Sequence, residues 1–280
     1  MVKSLRERNP LPALDGVVEL DEADGKHEYT VNGAVVGTST TRVVSQAIGL
    51  PAFDAGLVIK KSLASWRRNK RSKYHHVVDG LNDEDAAGRL KDIWNDANRL
   101  GKQLHARLEA NVNGSPTQAD KETDVEFESV KRAVDEAVAG GWTPYRAELS
   151  LFWTDSEGKP TVCGQADAIF KDKDGALVVV DLKRSEKDLS MAKIPYGDVA
   201  CAAPQLERFY ASDHARYSLQ TSSYCVMIEQ RLEVTIAPED RWLLQAHPSM
   251  PKAVWIRCRD LDAEAREILA GVKGSGVVQE

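Results

Sequence analysis

The sequence of 280 residues has no uninterrupted apolar stretch of eighteen residues and no closely spaced cysteine pair. The first absence predicts a protein without a membrane-spanning helix or a membrane partner. The four cysteines lie far apart, which indicates neither a zinc ribbon nor an iron–sulfur cluster and predicts four reduced thiols. They are Cys163, Cys201, Cys225 and Cys258. The basic N-terminus lacks the apolar core of a secretory signal, so we expect an intracellular location and no signal peptide.

An excess of positive charge is also lacking, since the formal net charge is −6. One segment is an exception, with seven cations and no acid between residues 60 and 73. These cations are Lys60, Lys61, Arg67, Arg68, Lys70, Arg71 and Lys73. With Trp66 among them, the segment suits phosphate contacts and base stacking on single-stranded DNA. A solvated helix face, or Trp66 packed into a core, would explain the same pattern.

The first part of the chain reads as a hairpin followed by helices. Asn32-Gly33 between two apolar runs predicts a tight β-hairpin, and the TSTT run at residues 38–41 predicts the cap of a short helix that stops before Pro51. A long helix is expected from Asp83 to about residue 114. A second helix, TDVEFESVKRAVDEAVAGG, is expected to turn four valines toward a core. These are Val125, Val130, Val134 and Val138.

The pattern then changes to strands. RAELSLFW, TVCGQADAIFK and ALVVVDLKR predict a three-strand meander, and a long helix follows from about His214 to Gln230. RLEVTIA and KAVWIRCRD predict further strands, and DAEAREILAGV predicts a closing helix. The order predicts an α/β fold with a central mixed sheet flanked by helices. We place this core at residues 83–280, after an N-terminal hairpin and basic helical segment at residues 1–82.

Two carboxylates and a lysine occupy the ends of the predicted meander strands. Asp167 lies in GQADAIF, and Asp181 ends a continuously apolar strand. Alternation places Asp181 and Lys183 on one face and Leu182 on the other. Two neighbouring carboxylates repel each other, and Mg²⁺ or Mn²⁺ would relieve that repulsion. Such an ion polarises a phosphate and activates water, so this set of residues suits phosphodiester hydrolysis. A surface salt bridge is the alternative interpretation of an Asp-x-Lys pair.

GQAD, a strand and then DLK resemble the motif of the PD-(D/E)XK nucleases in its G-x-x-D form. Upstream, Gly101 to His105 and then Glu109 resemble the G-x-x-x-H-x-x-x-E helix of the RecB-like branch, which includes lambda exonuclease and the mitochondrial genome maintenance exonuclease. Glu148 lies in the first strand, where that branch often has an acid. Gln220 and Tyr224 resemble its Q-x-x-x-Y helix. The resemblance covers residues 94–230.

The resemblance implies a restriction-endonuclease-like core and a metal-dependent DNA exonuclease of replication, recombination or repair, acting on single strands or duplex ends. It implies that Asp167, Asp181, the Leu182 carbonyl and His105 hold Mg²⁺ or Mn²⁺. Lys183 would be catalytic together with Asp167 and Asp181. The resemblance implies that four further residues also take part in catalysis: Gln220, Tyr224, Glu109 and Glu148. The basic segment would form an arch over the site and bind DNA, with Arg184 as a further contact. The compact form also resembles viral or phage replication nucleases.

The sequence also allows other interpretations of these residues and of the function. His105 and Glu109 have the spacing of two residues that merely share a helix face. Tyr224 could equally be a residue of the apolar core. Glu148 lies close to Arg146 on the predicted strand, so it could be a solvent-exposed acid without a role in catalysis. No proline precedes the first acid, and Asp stands for Glu at the second, which the motif permits. A structure-specific endonuclease and a catalytically silent DNA-binding module are the alternative functions.

Overall fold

The computed structural model describes residues 3–21, 27–50, 53–190 and 199–273. The chain forms two compact units, a large unit of residues 1–50 with 105–280 and a small unit of residues 51–104. These bounds differ from the expected division at residue 82. The physical reason is that a single helix, α5 (Asp83–Val112), begins in the small unit and ends in the large one.

The large unit begins with a short helix and a three-strand antiparallel sheet. These elements are α1 (Leu5–Arg8), β1 (Val18–Asp21), β2 (Glu28–Val31) and β3 (Ala34–Val36), with β2 in the middle. Asn32 and Gly33 have φ angles of 50° and 77°, which confirms the predicted tight hairpin. Helix α2 (Thr40–Ile48) follows. The Ser39 hydroxyl accepts a hydrogen bond from the Arg42 amide at 3.3 Å, which confirms the predicted cap.

The small unit contains α3 (Ala55–Arg68), α4 (His75–Val78) and the first part of α5. Its apolar core includes the buried side chains Ile59, Leu63, Val78 and Leu90. The half-buried Trp66 ring packs against this core, with its centroid 4.7 Å from Tyr74 and 6.4 Å from Trp94. The basic segment begins on helix α3, in agreement with the expected helix, and continues through turns after Arg68.

A five-strand mixed sheet forms the centre of the large unit and confirms the predicted α/β class. Its strands in spatial order are β4 (Thr143–Thr154), β5 (Pro160–Lys171), β6 (Leu177–Arg184), β7 (Arg241–Ala246) and β8 (Val254–Arg257). The pairings β4–β5, β5–β6 and β7–β8 are antiparallel, so the predicted meander is confirmed. Strands β6 and β7 are parallel, which requires a long crossover between them.

Helix α7 (Asp213–Leu232) lies in that crossover and packs against the sheet, α2 and α8 (Asp262–Ala270). Helix α6 (Asp124–Ala139) packs against β7. No helix in the described part of the chain is long and apolar enough to cross a membrane. All four cysteines are buried and free.

Two details of the sequence prediction are wrong. Residues 231–237 do not form a strand, because α7 continues to Leu232 and ends at Glu233, whose φ is 55°. The strand is instead β7, which the sequence hides because Arg241 and Gln245 interrupt its apolar pattern. Both are buried with partners of their own: Arg241 bonds Asp262 at 2.5 Å and 2.7 Å, and Gln245 donates to two backbone carbonyls.

The core face of α6 also differs from the prediction. Val125 and Val138 are 63% and 40% exposed, whereas Val130 and Val134 are buried together with Phe127. Val125 precedes Phe127 by two residues, or about 200° around a helix, so it faces the other way. The valine spacing alone was misleading because Phe127 sets the buried face.

Candidate metal centre

The site forms where β4, β5 and β6 run side by side. Ala147 pairs with Ala168 and Leu149 with Ala166, so the register places Glu148 opposite Asp167. Side chains opposite each other on antiparallel strands share a face and lie close together. Glu148 has a φ of 45°, a left-handed conformation that costs free energy for a residue with a side chain. Such strain in the middle of a strand is typical of functional positions.

Three potential ligands converge at this point. His105, from the C-terminal half of α5, joins Glu148 and Asp167, and one ligand atom of each lies within 4.8 Å of the others. His105 Nδ1 is 3.4 Å from Asp167 Oδ1. The Leu182 amide donates to Asp167 Oδ2 at 2.7 Å, which fixes the orientation of that carboxylate. An imidazole with two carboxylates is a ligand set that suits a divalent metal such as Mn²⁺.

Neighbouring cationic groups keep the Asp167 carboxylate ionised. Burial alone would raise the pKa of Asp167, but His105 and Lys183 outweigh it and lower the pKa below its ordinary value. Burial likewise opposes the charging of His105, yet the Asp167 carboxylate raises the pKa of the imidazole. The Asp167 carboxylate therefore remains ionised, and a metal ion bound at His105 would replace the proton that Asp167 favours on the imidazole.

Asp181 lies beside this group of three but is not part of it. Its side chain is 2% exposed and forms an ion pair with Lys183, with Nζ 2.6 Å from Oδ2. Burial raises the pKa of Asp181 to about 6 against the opposing effect of Lys183. Asp181 Oδ1 is buried and accepts no hydrogen bond from any described residue. A buried carboxylate oxygen that accepts no hydrogen bond could be satisfied by a bound cation. The role of Asp181 as a metal ligand stays a prediction.

Lys183 remains an ammonium group in this environment. Burial would lower its pKa, but the carboxylates of Asp181 and Asp167 outweigh burial and raise it above the ordinary value. The Tyr217 ring lies 5.0 Å from Nζ. The predicted common face of Asp181 and Lys183 is thus confirmed by their contact.

Gln220 and Tyr224 form a pair on α7. Gln220 Nε2 donates to the Tyr224 hydroxyl at 2.7 Å, and the tyrosine is buried in the core. The Tyr224 ring also explains the glycine of GQAD. A Cβ on Gly164 would lie 2.7 Å from Tyr224 Cε1 and 2.5 Å from Thr40 Oγ1. The glycine therefore permits close packing of α2 and α7 on β5. The expected role of Gln220 in assisting Lys183 stays a prediction.

Glu109 lies four residues after His105 and is half-buried. It lines a cavity of about 260 Å³ together with Glu148, Arg146 and Asp15. Burial raises the pKa of Glu109. Arg146 contributes little free charge to the cavity because Asp15 binds its guanidinium at 2.7 Å and 3.1 Å. The catalytic role of Glu109 stays a prediction.

The expected DNA contacts have different surroundings. Arg184 is 11% exposed and donates to the buried Glu126 at 2.7 Å, and its contact with DNA stays a prediction. Arg67 bonds Asp83 and the Leu81 carbonyl. The packing of Trp66 favours the core interpretation of that ring. The remaining basic residues of the segment are exposed: Lys60, Lys61, Arg68, Lys70, Arg71 and Lys73. Their contact with DNA stays a prediction.

Two residues near the site were missed from the sequence. Arg216 and Tyr217 precede Gln220 by about one helical turn, and both line a cavity with Lys183. Their spacing from Gln220 was the available signal, since residues three and four apart share a helix face.

Comparisons with known proteins give no family assignment. No family model matches the chain, and no curated protein matches it. Among solved structures, the chain is similar to SSO0001, with 14% identity and a TM-score of 0.32 over 78% of this chain and 85% of that one. It is also similar to a protein of Eubacterium rectale named "Putative exonuclease", with 13% identity and a TM-score of 0.35 over 79% and 82%. Similarities this weak identify neither fold family nor function.

Proposed function

We propose that this protein is a metal-dependent nuclease that hydrolyses DNA phosphodiesters, and that it acts as an exonuclease in replication, recombination or repair. The observation that carries the proposal is the convergence of His105, Glu148 and Asp167 beside the buried pair of Asp181 and Lys183. The resemblance of GQAD and DLK to the PD-(D/E)XK motif supports the same chemistry.

His105, Glu148 and Asp167 would hold Mn²⁺ or Mg²⁺, with Asp181 and the Leu182 carbonyl as further ligands. The bound ion would polarise a phosphate oxygen and lower the pKa of an attacking water. The mixed nitrogen and oxygen donors favour Mn²⁺ over Mg²⁺, because Mg²⁺ prefers oxygen ligands and dehydrates reluctantly.

Lys183 would stabilise the negative charge that develops on the phosphate. Its raised pKa keeps the side chain protonated near neutral pH, so it serves as a cation and not as a base. Asp181 restrains the ammonium at 2.6 Å, and the Tyr217 ring limits its movement on another side. This restraint matters because a catalytic group is effective only when it is already positioned at the reacting atoms.

The test is cleavage of end-labelled single- and double-stranded DNA by the purified protein with Mn²⁺. We expect Lys183→Ala, Asp167→Asn and Asp181→Ala each to reduce the rate by about 100-fold or more, the usual loss for one electrostatic catalytic group. Lys173→Ala, in the exposed turn between β5 and β6, is the matched control and should retain full activity. Equal activity in the wild type and the site variants would show that any cleavage is contamination.

Substrate form separates the proposed exonuclease from its alternatives. A covalently closed circle resists an exonuclease, whereas an endonuclease cuts it. Calorimetric Mn²⁺ binding without cleavage of linear or circular DNA would instead favour a catalytically silent DNA-binding module.

A further inference from the structure

A second cavity lies next to Lys183, on the side of α2 and α7. Its volume is about 340 Å³. The lining residues include Thr41 and Ser45 from α2, Lys183 from β6, and Arg216, Tyr217 and Gln220 from α7. The volume is within the range of small-molecule sites and is large enough for one nucleotide unit.

The chemistry of the lining favours an anion. Lys183 and Arg216 carry positive charge, and the hydroxyl and amide groups of the other polar residues can each donate a hydrogen bond. No carboxylate lines the cavity within the described ranges of the chain. A concave surface with two cations and several donors is suited to a phosphate, which accepts charge-assisted hydrogen bonds.

Arg216 is held in position by its own contacts. Its Nη2 donates to the Tyr217 hydroxyl at 2.6 Å, and Asp213 Oδ1 lies 2.8 Å from the same nitrogen. Its Nε is buried and has no hydrogen-bond partner among the residues that the structure describes. The contacts with Tyr217 and Asp213 fix the orientation of a guanidinium whose residue lines the cavity.

Tyr217 places two cations close together. The Arg216 guanidinium carbon lies 4.5 Å from the ring centroid, and Lys183 Nζ lies 5.0 Å from it. Each cation also has a carboxylate partner, Asp181 for Lys183 and Asp213 for Arg216. Neither carboxylate is among the residues that line the cavity. An anion in the cavity would interact favourably with both cations.

We infer that this cavity binds the phosphate next to the one that is cleaved, with Arg216 as its main contact. The inference rests on the proposed nuclease function and adds a substrate-binding residue to it. In this arrangement Lys183 faces the cleaved phosphate and Arg216 faces its neighbour. Thr41 and Ser45 then donate from α2 to the same nucleotide.

The test compares Arg216→Gln with Arg132→Gln, which removes an exposed arginine from α6. On a DNA oligonucleotide, loss of a charge-assisted phosphate contact should raise KM about 10- to 100-fold and leave kcat within about threefold. Arg132→Gln should match the wild type. The KM of Arg216→Lys should lie between the KM values of the wild type and Arg216→Gln, because lysine keeps the charge but lacks the planar guanidinium group. Thermal melting of each variant checks that it is folded.

A chemically altered substrate locates the contact. Replacing the neighbouring phosphate by a neutral methylphosphonate should raise KM for the wild type and remove the difference between wild type and Arg216→Gln. If the difference persists on this substrate, or if kcat falls instead of KM rising, Arg216 acts through Tyr217 and Lys183, and the inference is overturned.

A binding measurement separates this inference from the nuclease proposal. In EDTA, ³¹P line broadening of thymidine 5′-monophosphate by the wild type, reduced in Arg216→Gln and unchanged in Arg132→Gln, would support the subsite even for a protein that cleaves nothing. Equal broadening by all three proteins, or none by any, would overturn it.

Discussion

Asp181→Asn should stabilise the protein in the absence of metal, although it removes a residue of the proposed site. The carboxylate is almost completely buried, and burial raises its pKa from 3.8 to about 6. Asparagine has nearly the same shape as protonated aspartate and carries no charge. The pKa of about 6 already includes the attraction of Lys183, so the substitution removes a net free-energy cost of ionising this acid at pH 7 even though it also removes the ion pair.

The size of the effect follows from the two pKa values. The difference between 3.8 and about 6 corresponds to about 3 kcal/mol of unfolding free energy at pH 7. Because the folded pKa is the higher one, the wild type keeps this stability below pH 4 and loses it as the pH rises through 6. The advantage of Asp181→Asn should thus be near zero at pH 4 and complete by pH 7.

Urea unfolding in EDTA between pH 4 and 7.5 measures this difference. Asp174→Asn, in the exposed turn before β6, is the matched control and should follow the wild type at every pH. The reasoning is refuted if Asp181→Asn is less stable than the wild type at pH 7, or if the difference between them does not change with pH. Adding Mn²⁺ should then stabilise the wild type more than the variant if Asp181 is a ligand.

Four further outcomes are expected. Gly164→Ala forces a methyl group against Tyr224 and should lower the unfolding free energy by about 1–3 kcal/mol in urea titrations; unchanged stability would contradict the packing. Glu126→Ala leaves the Arg184 guanidinium buried without its partner and should cost about 3–5 kcal/mol, whereas Glu128→Ala, at an exposed position, should cost little. Mn²⁺ at 100 times its Kd should stabilise the wild type by about 2.7 kcal/mol. His105→Gln should weaken Mn²⁺ binding measured by calorimetry, and an unchanged Kd would exclude that ligand.

The fold was predictable where local patterns and packing agree. Asn32-Gly33 specifies a hairpin by its backbone preferences alone, and the apolar run before Asp181 specifies a strand buried on both faces. β7 was not predictable, because its buried Arg241 is compensated by Asp262, a partner 21 residues away in sequence. Periodicity cannot anticipate a long-range ion pair of this kind.

The candidate site was likewise predictable only where local sequence patterns determine it. The spacing of Asp167, Asp181 and Lys183 could be read from strand alternation, and their neighbourhood in space follows from a simple hairpin. The close approach of Glu148 depends on the register of β4 against β5 and on an unusual backbone conformation at that residue. Neither leaves a signal in one sequence. The ion pair between Arg184 and Glu126 depends on the packing of α6 in the fold, and contacts between segments so far apart in sequence cannot be read from local patterns.

The left-handed backbone of Glu148 has a consequence for protein engineering. Glycine adopts this conformation without steric cost, so replacing Glu148 by glycine would relieve the strain while deleting a candidate ligand. A selection for heat resistance alone would be drawn toward this position and would return well-folded proteins with an impaired metal centre. Selection would have to include metal binding at every round to keep the carboxylate.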